Sequence, residues 1–182
     1  VKASVHAASA WTPERGVLSA EDGLGQLSRF GRTCAAVVER VGVPDATLPI
    51  IVGTRHGATV SPAKVGEELE LRWPDAEVSL LHADADTLPV SLLDACLVLS
   101  RWNRVLWTVV DLQPGAELAA CILLSRESSR TQILLERLDE PVPGVEPHLN
   151  PCAGIVALAD AVGVKSVSIK VSSWSLALQT TA

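Results

Sequence analysis

Methionine and tyrosine are absent from this 182-residue chain, and phenylalanine occurs once, at Phe30. Neither absence has a physical account in the sequence; the aromatic volume falls to five tryptophans. Long apolar runs are also missing. Leu48–Val52 and Ala119–Leu124 are short, and a membrane-spanning helix needs roughly 20 apolar residues. Val1–Ala10 is interrupted by Lys2, His6 and serines, so no leader pattern opens the sequence. No CxxC pair occurs among the four cysteines, Cys34, Cys96, Cys121 and Cys152, which removes the usual zinc and disulfide frameworks. Buried free thiols in a cytoplasmic protein are the expectation. Basic residues number 15 against 21 acidic, a net charge of −6. Without a Lys/Arg stripe to release counterions, no nucleic-acid partner is expected. No phosphate-loop lysine and no dinucleotide fingerprint appear, so no cofactor is expected.

What is present is a well-supplied core. Hydrophobic residues make up 48 % of the chain, which excludes disorder. A domain of this length buries roughly 70 % of the surface its unfolded chain exposes. Strand-like and helix-like blocks alternate along it. Strands are expected at Lys2–Ala8, Leu48–Val52, Glu77–Leu81, Arg104–Val110, Glu117–Leu124, Thr131–Leu138, Lys165–Val171 and Trp174–Gln179. Helices are expected at Asp22–Val41, Pro62–Leu71, Leu88–Arg101 with Thr87 as cap, and from Asn150-Pro151 to Val162. This alternation predicts an α/β fold with a mostly parallel sheet covered by helices on both faces. Chemistry is then expected at the carboxyl ends of the strands, in Gly53–Gly57, in His82–Thr87 and in the stretch leading to His148.

Several segments resemble the β-ketoacyl synthases of the thiolase-like superfamily. Leu48–Gly57 (Leu-Pro-Ile-Ile-Val-Gly-Thr-Arg-His-Gly) is similar to their strand and Gly-Thr-x-x-Gly loop. Arg104–Asp111 with Gly115–Glu127 is similar to the hairpin that closes their first half. Pro147–Gly154 (Pro-His-Leu-Asn-Pro-Cys-Ala-Gly) resembles their Gly-His-x-x-Gly-Ala-Ala-Gly, whose histidine is catalytic. The resemblance implies a thiolase-like half-unit with a mixed five-stranded sheet over 1–140. It also implies a remnant of the second half, a short helix and strands, over 141–182, the two forming one compact unit. A complete condensing enzyme has about twice this length. The strand before its nucleophile leads to a cysteine; here Leu81–Pro89 (Leu-His-Ala-Asp-Ala-Asp-Thr-Leu-Pro) contains none. Condensation needs a thiolate to hold the acyl group and donors for the oxyanion.

The candidate site residues are His148, Cys152, Asp84 and Asp86. His148 corresponds to the catalytic histidine of the resemblance, or packs under the Pro-rich stretch 141–147. His82, Asp84 and Asp86 form His-x-Asp-x-Asp, which suits a divalent cation, a general base or a charged helix start; no resident metal is expected. Cys152 follows Asn150, where a helix N-terminus lowers a thiol pKa, or it is a small packing residue. His56 lies in a Gly-bounded loop able to turn backbone amides toward an anion, or is structural. The tryptophans are partner anchors or core volume.

Three functions follow. The first is a ketosynthase-like, non-condensing auxiliary protein of a fatty-acid or polyketide-type pathway, chain-length-factor-like. It would work as a homo- or hetero-oligomer beside a ketosynthase and an acyl carrier protein, the latter docking on Arg55, Arg101 and Arg104. The second is a small acyltransferase or hydrolase using His148 with Asp84, Asp86 or Cys152. The third is an interaction domain without acyl chemistry.

Overall fold

A computed structural model describes residues 1–16, 27–42, 47–55, 62–140 and 150–181. His56, His148 and the expected helix start at Asp22 lie outside the described residues. The strands are β1 (Lys2–Trp11), β2 (Ile50–Thr54), β3 (Val78–His82), β4 (Arg104–Asp111), β5 (Leu118–Ser125), β6 (Thr131–Arg137), β7 (Val167–Val171) and β8 (Trp174–Thr180). The helices are α1 (Arg29–Arg40), α2 (Pro62–Arg72), α3 (Thr87–Val98) and α4 (Ala153–Ala161). The order matches the alternation read from the sequence, with ends displaced by a few residues.

Helix α1 shows why an end moves. Its described part starts at a cap, Ser28, whose Oγ accepts the Gly31 N–H at 3.1 Å. Glu68 of α2 accepts the Ser28 N–H at 3.0 Å and the Ser28 hydroxyl at 2.7 Å. The carboxylate ties the two helices together. It approaches so closely that a Cβ on Gly31 would lie 2.5 Å from it.

The sheet departs from the expected five mostly parallel strands. Among the described residues it has eight strands, in the order β3-β2-β4-β5-β1-β6-β8-β7. Only β2 with β3 and β2 with β4 run in parallel; every other neighbouring pair is antiparallel. The first five strands in that order are β1 to β5. The extension arises because β6 pairs with the other edge of β1, and the β7–β8 hairpin adds to β6. The C-terminal strands thus lengthen the same sheet across the 140/141 boundary.

Both faces are covered, as expected. On one face Phe30, Cys34 and Val37 of α1 and Val65 and Leu69 of α2 meet Ile50, Val52, Leu106 and Cys121. On the other, Leu88 and Leu92 of α3 and Ile155 and Leu158 of α4 meet Ile51, Trp107, Val109 and Ile122. The period of two in β4 makes this division: Val105, Trp107 and Val109 face α3 and α4, while Leu106 and Val110 face α1. Each fully buried large aliphatic side chain contributes about 1.5–3 kcal/mol. Strands β3 and β7 form the two sheet edges.

Candidate functional site

Strands β2 and β4 run in parallel with Gly53 opposite Val109. Two residues on, that register brings Arg55 beside Asp111. The Arg55 Nε–H donates to Asp111 Oδ2, and Arg55 Nη2 donates to Gln113 Oε1 at 2.9 Å. Asp111 Oδ1 accepts the Gln113 N–H at 3.2 Å. The acid is only 3 % exposed and the guanidinium 14 %, so both oxygens of a buried carboxylate are engaged.

Helix α3 starts beside this pair. Thr87 donates its hydroxyl to the carbonyl of Asp84 at 3.0 Å and to that of Thr54 at 3.2 Å. It does not cap the helix: the cap is Asp86, whose side chain makes no capping bond. Ser91, one turn on, accepts the Trp107 indole N–H at 2.8 Å and donates to the Thr87 carbonyl at 2.6 Å. Gly53 permits the fit, since a Cβ there would lie 2.8 Å from Ser91 Oγ.

Helix α4 starts on the other side. Asn150 Oδ1 accepts the Cys152 N–H at 2.8 Å, and Asn150 Nδ2 donates to the Ala116 carbonyl at 2.8 Å. The Asn-Pro start read from the sequence therefore organises the turn into α4 and fastens it to the loop before β5. Cys152 itself is fully buried. Burial, then the charge of Asp111, push its thiol up to about 12; Arg55 and the Thr87 hydroxyl pull the other way and lose. The lowering expected from a helix N-terminus does not prevail, because desolvation of a thiolate outweighs the dipole.

The remaining sequence candidates scatter. Asp84 is exposed, Asp86 is half-buried and His82 is exposed at the end of β3. Among the described residues no three His, Cys, Asp or Glu side chains come together to hold a metal ion, so the His-x-Asp-x-Asp reading as a cation site is corrected. Its residues lie along the end of β3 and the turn that leads into α3. The three arginines read as one docking group are also divided. Arg55 follows the end of β2 and is consumed by Asp111, whereas Arg104 begins the parallel strand β4, at the opposite end of the sheet. Arg101 lies three residues before Arg104, also at that far end.

No other cysteine supplies a nucleophile here. Cys34 and Cys121 are fully buried, with their thiols pushed up by desolvation, Cys121 to about 12. Cys96 is half-buried and pushed up to about 11, again chiefly by burial. The Arg55–Asp111 pair escaped the sequence reading because its members lie 56 positions apart. Only the parallel register of β2 and β4 makes them neighbours.

Known proteins share this architecture. A chain of the complex between the ketosynthase ApeO and its chain length factor ApeC from Xenorhabdus doucetiae superposes with a TM-score of 0.66 at 14 % identity, over 98 % of this chain and 99 % of that one. A β-ketoacyl-[acyl carrier protein] synthase III from Thermus thermophilus gives a TM-score of 0.50 at 10 % identity, over 81 % of this chain and 62 % of that one. PksG, an HMG-CoA synthase from Bacillus subtilis, gives 0.51 at 10 % identity, over 85 % and 50 %. The chain thus spans less than two thirds of the latter two. No protein-family profile and no curated protein sequence matches it. The fold is thiolase-like and ketosynthase-like.

Proposed function

We propose that the chain is a non-condensing partner of a ketosynthase, a chain-length-factor-like subunit of a fatty-acid or polyketide-type pathway. The observation that carries this reading is the state of the thiols. The segment entering α3 holds Asp84, Asp86 and Thr87 and no cysteine, and all four thiols elsewhere are raised by burial. The acyl thioester of a condensing enzyme needs an accessible thiolate. The end-to-end correspondence with a chain of the ketosynthase–chain length factor complex supports the pairing half of the reading.

Two surface features favour a partner. Helix α3 exposes two apolar side chains on its outward side, Leu97 at 67 % and Val90 at 36 %, flanking Asp94. Beside it, edge strand β3 (Val-Ser-Leu-Leu-His) has no lysine, proline or acidic residue, the usual guards of an unpaired edge. A ketosynthase seated against β3 and α3 would cover both. With Arg55 consumed, an acyl carrier protein would meet the ketosynthase in this reading rather than this chain.

The test is co-expression with a ketosynthase encoded beside it, followed by affinity purification and intact mass measurement after incubation with acyl thioesters. A stoichiometric complex, with acyl mass only on the ketosynthase, is expected. Acyl mass on this chain purified alone overturns the non-condensing reading, and failure to co-purify overturns the pairing.

A further inference from the structure

At the opposite end of the sheet, β5 stops with Ser125 opposite Ser4, so the first residues of β1 run on past it. Beneath that stop, at the C-terminal end of α3, lies a cavity of about 390 Å³ lined by Lys2, Cys96, Leu99, Ser100, Ser125 and Arg126 among others. It shares no residue with the Arg55–Asp111 centre.

Its polar side chains are all hydrogen-bond donors. Lys2 and Arg126 make no ion pair among the described residues. Ser125 is 1 % exposed; its oxygen accepts the Glu127 N–H at 3.0 Å, and no described residue accepts its own proton. Glu127, the nearest acid in sequence, is exposed and turns to Arg104 at 3.4 Å. At the C-terminal end of α3 the carbonyl of Leu97 accepts from Ser100, and that of Val98 from Arg101 and Trp102. The two side-chain cations, with the hydroxyls of Ser4, Ser100 and Ser125, call for a ligand that brings acceptors and negative charge. Leu99, Ala3 and Cys96 supply an apolar wall for a small body.

We propose that this cavity binds a small oxyanion with a short apolar body, a carboxylate or a phosphate ester, held by Arg126 and Lys2 with Ser100 and Ser125 donating. Cys96 is a built-in reporter, because it lines the cavity while the other three thiols are fully buried.

The test alkylates the full chain with iodoacetamide at pH 9 and follows Cys96 by peptide mass. Butyrate or inorganic phosphate is titrated in, with sodium chloride holding ionic strength constant. The expected result is saturable slowing, about tenfold when the anion stands at ten times its Kd. The slowing is lost in Arg126→Gln and in Lys2→Gln and kept in Arg32→Gln, on α1. Protection by butyrate alone assigns a carboxylate, by phosphate alone a phosphate ester, and by both a general oxyanion site. No slowing beyond the chloride control, or slowing that persists in both cavity variants, overturns the proposal. Lys2→Gln, at the exposed start of β1, decides the matter should Arg126→Gln fail to fold.

Discussion

The Trp107 indole donates to Ser91 Oγ at 2.8 Å, joining the middle of β4 to the first turns of α3. Both residues are fully buried, so neither can exchange this bond for water. Ser91→Ala strands the indole N–H, and an unpaired buried donor costs about 1–3 kcal/mol. Urea denaturation should show a lower midpoint with an unchanged slope.

Gly53 is required for a separate reason. Its backbone needs no special conformation, but a Cβ there would lie 2.9 Å from Ser91 Cβ and 3.1 Å from Thr87 Cγ2. Gly53→Ala should push α3 away from β2 and cost about 1–3 kcal/mol. Gly66→Ala, on α2 where an added Cβ would meet open space, should instead leave stability unchanged or raise it by up to about 1 kcal/mol. Thermal melts of the two variants make the comparison.

Arg15 grips Asp160 with both nitrogens, at 2.9 and 2.5 Å. The guanidinium holds the Asp160 carboxyl below its usual range, and the carboxylate raises Arg15. A depressed acid contributes stability above its unfolded-state pKa, about 3.9, and loses it as pH falls through its lower folded value. Both side chains are largely exposed, 39 % and 47 %, so the pair is worth only about 0.2–1 kcal/mol. Asp160→Asn should therefore lower stability slightly at pH 7 and make no difference well below pH of about 3. Urea melts across that range test the sign.

The thiols should divide by burial. In native protein at pH 9, Cys96 should react slowly with a neutral alkylating reagent, and Cys34, Cys121 and Cys152 should react only on unfolding. Peptide mapping with and without denaturant checks this. Native labelling of Cys152 as fast as Cys96 would show that the start of α4 is open.

The hairpin between β7 and β8 contains a correctable strain. Ser172 has φ of 52° in a two-residue connection between Val171 and Trp174. A first turn residue with positive φ suits a glycine. Ser172→Gly should raise stability by a few tenths to about 1 kcal/mol, read as a higher melting temperature.

Local chemistry made the element order legible. Asn150-Pro151 marked the turn into α4, and the unbroken apolar run Leu48–Val52 marked a strand buried on both faces. The extra width of the sheet was not legible, because nothing in Thr131–Arg137 says which edge of β1 it joins. The cap of α1 was hidden as well: Ser28 acts with Glu68, 40 positions away, while local apolar spacing pointed to an earlier start. Among the site candidates, Cys152 was expected two residues past an Asn150 cap; it is itself the N-cap of α4, and its thiol is governed by burial and by Asp111, which only tertiary structure supplies.

The two margins of the sheet are chemically unlike. Strand β7 carries an exposed Lys170, and β3 carries no lysine, arginine or acidic residue. A strand added at β7 would have to lie against that ammonium, whereas one added at β3 would meet no such charge, so the two margins oppose strand addition unequally.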